Sequence, residues 1–158
     1  VLTALALDDV RVVAVDRLPA KLAAASDVGA HETYTPETAT DAGVKAPIVI
    51  EAVGHPAALQ TAIGLTAPGG RTITVGLPPP EARIELSPLG LVAEGRSLIG
   101  SYLGSAVPAR DIPRFVELWR TGRLAVESLV SSTITLDDIN AAMDHLADGT
   151  EVRQLITF

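Results

Sequence analysis

Apolar and polar positions follow two rhythms along this chain. Residues 1–7, Val-Leu-Thr-Ala-Leu-Ala-Leu, are rich in good helix formers and predict the last turns of a helix, which Asp8-Asp9 break. Arg11-Val-Val-Ala-Val-Asp16 is apolar on both faces and ends on an acid; such a strand belongs inside a parallel sheet. Pro19 suits a first helical turn, Ala20–Val28 continue the helix, and Gly29 ends it. Thr33–Thr35 predicts a short strand, and the small polar residues 36–46 a loop. Ile48–Val53 is a second buried strand, closed by Gly54. His55-Pro56 opens a helix through about Thr66, and Pro68-Gly69-Gly70 stops it. Arg71–Val75 is a third strand, followed by Gly76-Leu77 and three prolines. Ile84–Leu86 alternates like an edge strand, and Ser97–Leu103 reads as a further strand. This rhythm of strand and helix predicts βαβ units and a parallel sheet, an α/β fold.

The last third has a different texture. A helix about Arg110–Thr121 places Ile112, Phe115, Val116 and Trp119 on one face, a pattern that predicts core, and Gly122 ends it. Ser132–Leu136 alternates as a strand. Thr135-x-x-Asp138 resembles a capping box for a helix through about Ala147, and Val152–Phe158 alternates as a final strand. The change of pattern puts a domain boundary near residues 101–105.

Composition narrows the classes. The chain has 158 residues, 47% of them apolar, enough to bury a core. The net charge of −7 argues against a nucleic-acid partner, because little here would neutralise a row of phosphates. It argues equally against an anionic membrane surface, and no apolar run approaches a bilayer span. No basic region followed by an apolar stretch marks a signal peptide, so the chain reads as cytoplasmic. The absence of Cys excludes disulfides, thiolate zinc sites and a cysteine nucleophile within these residues.

Asp16 is the first residue with chemistry to offer. An acid at the carboxyl end of a βαβ strand accepts hydrogen bonds from both hydroxyls of an adenine ribose, and its charge disfavours a 2′-phosphate. It serves as well as a cap of the following helix, and taken alone the two roles are evenly matched. Arg17 beside it is a residue that can recognise a 2′-phosphate. The dinucleotide fingerprint, Gly-x-Gly-x-x-Gly between a strand and a helix, belongs about 20 residues earlier. No Gly precedes Gly29, so the expectation is a nucleotide fold whose first strand and phosphate loop are missing from these residues. Gly54 and Gly76 close buried strands, where glycine either admits a ligand to the backbone or simply turns the chain. Val75 and Leu77 would offer apolar surface to a flat ring, or serve as core. His31, His55 and His145 lack metal-ligand spacing, and no residue has the setting of a catalytic nucleophile or base.

In order and spacing, these segments resemble the C-terminal part of the zinc-dependent alcohol dehydrogenases of the medium-chain dehydrogenase/reductase family. Arg11-Val-Val-Ala-Val-Asp16, Lys21 and Asp27-Val-Gly-Ala30 resemble the family's second Rossmann strand and its helix. Ile50-Glu-Ala-Val-Gly54 and Gly69-Gly-Arg-Thr-Ile-Thr-Val-Gly-Leu-Pro78 resemble its next two strand ends. Gly100-Ser-Tyr-Leu-Gly104 resembles the strand leading out of the nucleotide domain, and Val152–Phe158 its closing strand. The resemblance implies an incomplete Rossmann doubly wound sheet over residues 1–101. Residues 102–158 would be the C-terminal segment of the catalytic domain.

It also implies hydride exchange between an alcohol or aldehyde and NAD. Asp16 and Lys21 would hold the adenine ribose, and Val53 and His55 would border the adenosine. Val75 and Leu77, with Gly76 between them, would line the nicotinamide side. Backbone groups of Ser101 and Leu103 would meet the carboxamide. Arg153 would reach the pyrophosphate, though an exposed strand Arg needs no such role. The family's catalytic zinc, held by two thiolates and an imidazole, polarises the substrate oxygen; it lies outside these residues, and the chain alone should be inert. The family further implies a homo-oligomer and a small alcohol or aldehyde substrate.

Without the central first strand, unpaired buried groups would each cost about 1–3 kcal/mol, so the expected behaviour of the isolated chain is marginal stability or self-association. Three other readings stand beside this one. They are a zinc-free quinone or enoyl reductase of the same family, a Rossmann methyltransferase, and a non-catalytic nucleotide-binding remnant.

Overall fold

A computed structural model describes residues 1–158. Seven strands and seven α-helices alternate along the chain, the α/β pattern expected from the hydrophobic rhythm. Helix α1 is Leu2–Leu5, β1 Val13–Val15, α2 Pro19–Asp27 and β2 Glu32–Tyr34. Then come α3, Pro36–Asp41, β3, Ala46–Glu51, α4, Pro56–Leu65, and β4, Thr66–Thr74. Helix α5, Pro88–Glu94, leads to β5, Ser97–Gly100. The remainder is α6, Pro108–Arg120, β6, Val130–Thr135, α7, Ile139–Ala147, and β7, Arg153–Thr157.

Strands β3, β4 and β5 form a parallel sheet in that order, with Glu51 opposite Thr74 and Thr74 opposite Gly100. Helix α4 packs on β3 and β4. Strands β1 and β2 pair separately, as do β6 and β7, the latter in parallel. No ladder joins β1 to β3. The parallel β3–β4–β5 sheet is the α/β arrangement anticipated.

Three elements differ from expectation. Residues 36–41 are helix and not loop, because Thr35 and Thr38 form a reciprocal capping box and Pro36 opens the first turn. The polar composition of this stretch belongs to an exposed helix face. Ile84–Leu86 pairs with nothing. The strand beginning at Ser97 stops at Gly100, and residues 102–105 form a short 3-10 turn with Leu103 at φ 49°. Pro68-Gly69-Gly70 interrupts the β3–β4 register as a bulge, which jumps from Ala46 opposite Thr66 to Ile48 opposite Arg71. The capping box at Thr135 is present, with Asp138 Oδ2 accepting from the Thr135 backbone N–H at 3.3 Å.

The residues pack as two units. One comprises residues 15–22 and 33–108 and holds the three-stranded sheet. Its interior includes Ala39, Ala62 and Leu65, and also the polar Glu51, Thr66 and Thr72. Thr66 is fully enclosed, and its hydroxyl lies 2.8 Å from the Ala62 carbonyl and 2.6 Å from Thr72 Oγ1. The other unit comprises residues 1–14, 23–32 and 109–158 and buries Ala6, Val12, Leu124 and Ala142. Within it Arg123 donates to the Ala6 carbonyl at 2.7 Å and to Asp8 Oδ1 at 3.0 Å. The Phe115 and Trp119 side chains, expected as core, remain 42% and 45% exposed along an open apolar groove with Ile112, Val116, Leu124 and Val126. No helix is long and apolar enough to cross a membrane.

Candidate functional site at the sheet edge

Parallel strands in register bring their carboxyl ends to one edge. The residues that follow Glu51, Thr74 and Gly100 are therefore neighbours, and they include Val53, Gly54, His55, Val75, Gly76, Leu77, Ser101 and Leu103. This is the edge at which open α/β sheets take up ligands.

Glycine is needed here for contact between turns. Gly54 has φ 75°, in the left-handed region, and a Cβ on it would stand 2.8 Å from the Leu77 backbone. A Cβ on Gly76 would stand 2.6 Å from Gly54 Cα and 2.8 Å from the Val53 carbonyl carbon. The turn after β3 and the turn after β4 therefore lie backbone to backbone.

One buried side chain joins them. Glu51 is 4% exposed. Its Oε1 accepts from the Val53 N–H at 2.6 Å and the Gly54 N–H at 2.7 Å. Its Oε2 accepts from the Thr74 hydroxyl at 2.6 Å. Its main-chain carbonyl accepts from the Val75 N–H at 2.8 Å. Sequence reading passed over Glu51. The available signal was a carboxylate at the end of an otherwise apolar strand, two residues before a Val-Gly turn, where burial demands partners.

The other candidate residues are placed as follows. Val53 and Leu77 are 72% and 78% exposed, so the edge presents apolar surface outward. His55 is exposed, and its Nδ1 accepts from the Ala57 N–H at 3.2 Å as the N-cap of α4. The Ser101 N–H is bonded to the Thr74 carbonyl at 3.0 Å, and its hydroxyl lies 2.9 Å from that of Ser105. Leu103 is exposed. Asp16 directly follows β1; its N–H donates to the Tyr34 carbonyl at 3.1 Å, and its Oδ1 accepts from the Leu18 N–H at 2.9 Å, so it caps this turn. Lys21 lies half-buried in the first turns of α2. Arg153 belongs to the unit that holds β6 and β7, where its guanidinium donates to the Val152 carbonyl at 3.4 Å. No three His, Cys, Asp or Glu side chains gather into a group that could hold a metal ion.

A parallel sheet with helix α4 packed on it makes this an α/β protein of the open-sheet class. Residues 1–121 match the family model described as zinc-binding dehydrogenase, and the chain belongs to that family of oxidoreductases. Geraniol dehydrogenase of Castellaniella defragrans is 30% identical over 156 residues, an overlap of 94% of this chain and 42% of the relative. Benzyl alcohol dehydrogenase from Acinetobacter calcoaceticus superposes with a TM-score of 0.87 at 23% identity, over 98% of this chain and 46% of its own. An alcohol dehydrogenase from E. coli CFT073, solved in complex with NADH, superposes with a TM-score of 0.83 at 21% identity, over 99% of this chain and 48% of its own. The chain spans less than half the length of these proteins.

Proposed function

We propose that this chain is the NAD-binding portion of a zinc-type alcohol dehydrogenase, in which hydride passes between an alcohol or aldehyde and the nicotinamide. The observation that supports this best is the shared edge of β3, β4 and β5, where two glycine turns are packed together beneath the exposed side chains of Val53 and Leu77. NAD, when bound, supplies the hydride acceptor. Asp16 and Lys21 would hold the adenine ribose, Val53 and His55 would flank the adenosine, and Val75, Gly76 and Leu77 would line the nicotinamide side. Ser101 would contribute its carbonyl to the carboxamide, its N–H being already bonded, and Leu103 would lie beside it. Arg153 would reach the pyrophosphate. We assign residues 1–101 to the nucleotide domain and 102–158 to the catalytic domain. We further infer that these 158 residues alone do not catalyse the reaction, because they contain no Cys to supply the thiolates that the family's zinc requires.

Saturation-transfer NMR with NADH and NADPH tests the cofactor assignment, since it detects millimolar binding. The expected result is uptake of NADH, weaker than micromolar, in preference to NADPH. Two variants separate the roles of Asp16. Asp16→Asn keeps an oxygen to cap Leu18 but loses the charge. Weakened NADH binding in both Asp16→Asn and Asp16→Ala supports a ribose contact. A loss in Asp16→Ala alone leaves Asp16 as a cap.

A further inference from the structure

The N–H groups of Val53, Gly54, Val75 and Ser101, along the candidate edge, point inward. Those of Val53 and Gly54 end on the Glu51 carboxylate, that of Val75 on the Glu51 carbonyl, and that of Ser101 on the Thr74 carbonyl. The Thr74 hydroxyl also ends on Glu51. An anion site in a turn needs the opposite, namely N–H groups directed at the ligand. These four residues therefore turn no N–H toward a ligand; Val53 and Leu77 stand exposed, and Glu51 is buried between the two turns.

We propose that Glu51 is a positioning residue. It clasps the turn after β3 to the turn after β4 and, by taking up their donors, reserves this edge for neutral, donor-bearing parts of a dinucleotide, ribose hydroxyls or a carboxamide, and against phosphate. This rests on the NAD-binding reading above for its ligand, but not for its geometry. The clasp is selective because a carboxylate is the one side-chain group that accepts on both oxygens and donates from neither. Charge-assisted bonds of this length are also stronger than neutral ones. Glu51 reaches all three donors because its Cα is level with Thr74 in the β3–β4 register.

Amide hydrogen exchange on the chain, followed by NMR, reads the clasp directly. The wild-type Val53 and Gly54 amides should exchange as slowly as those of the β3–β4 ladder; exchange at open-turn rates overturns the proposal. Glu51→Ala should lose protection at Val53 and Gly54 by about tenfold or more, while Val75, held by the Glu51 main-chain carbonyl, and the ladder stay protected. Glu51→Gln, which keeps the reach and an acceptor oxygen, should restore most of it. Should Glu51→Ala not fold, the wild-type rates and the Gln rescue decide, and a Gln variant as unprotected as an open turn counts against the clasp.

Inorganic pyrophosphate, titrated into the wild type, should leave the Val53 and Gly54 amide resonances in place. A saturable shift of those resonances refutes the exclusion of anions. NADH binding then tests positioning. Glu51→Ala should weaken it about tenfold and Glu51→Gln by about threefold or less. Equal NADH binding in Glu51→Ala, with the clasp lost, refutes the positioning role. Absence of NADH binding by the wild type refutes cofactor uptake by this chain and leaves the clasp to be judged by exchange and pyrophosphate alone.

Discussion

The sheet β3–β4–β5 and the helix α6 handle burial in opposite ways. Within the strands of the sheet the buried side chains are polar, Glu51, Thr66 and Thr72, and each has its partners within the same unit. Helix α6 has the clearest amphipathic pattern of the chain, yet its Ile112, Phe115, Val116 and Trp119 line an open groove. Apolar periodicity shows which face seeks cover. It does not provide the cover, and a polar side chain that finds all its partners can be buried more completely than an aromatic one.

This contrast predicts a gradient of mutational cost. The largest loss is expected for Gly76→Ala, whose added methyl meets backbone and not a movable side chain. About 3 kcal/mol should be lost in urea unfolding, and a loss below about 0.5 kcal/mol would show that the two turns do not rest on each other. Thr66→Val keeps the volume but strands the Thr72 hydroxyl, at a cost of about 1–2 kcal/mol by the same measurement. Thr135→Ala removes one half of the capping box ahead of α7 and should cost about 1 kcal/mol.

Substitutions on the open face should cost least. Phe115→Ser is expected to cost less than about 1 kcal/mol, since its ring lies along an open groove and makes no polar bond. It should also reduce any concentration-dependent association seen by analytical ultracentrifugation. A loss above about 2 kcal/mol would mean that this face is covered in solution, and the contrast would fail.

The smallest effect concerns pH. The Trp119 indole N–H bonded to Glu127 holds that carboxyl below its usual range. A lowered carboxylate pKa stabilises the fold above the unfolded-state value, and that contribution disappears as pH falls through the folded value. Trp119 fluorescence should therefore change only at acid pH, in a step that Glu127→Gln abolishes. A step that persists in this variant would assign it to another group.

Much of the architecture is legible in the amino-acid sequence. Continuous β-branched runs marked β1, β3 and β4, and Pro19, Pro56 and Gly29 punctuated the helices, because backbone preference is a local property. Helix α3 was missed because its evidence is a capping box, Thr35 with Thr38, and not an apolar stripe. Candidate residues after the strand ends were legible as positions only. Whether they face a ligand or one another depends on neighbours far along the chain.

The amino-acid order alone determined the succession of strands and helices, the parallel pairing that it favours, and the family to which the chain belongs. The tertiary structure alone decided what Glu51, Gly54 and Gly76 do. Glu51 and Thr74 stand 23 residues apart, and only the β3–β4 register makes them partners. Gly54 and Gly76 looked like ordinary turn residues until the two turns were found in contact. Periodicity reports how each segment divides between inside and outside. A bond between segments is set by register, which the pairing of whole strands establishes.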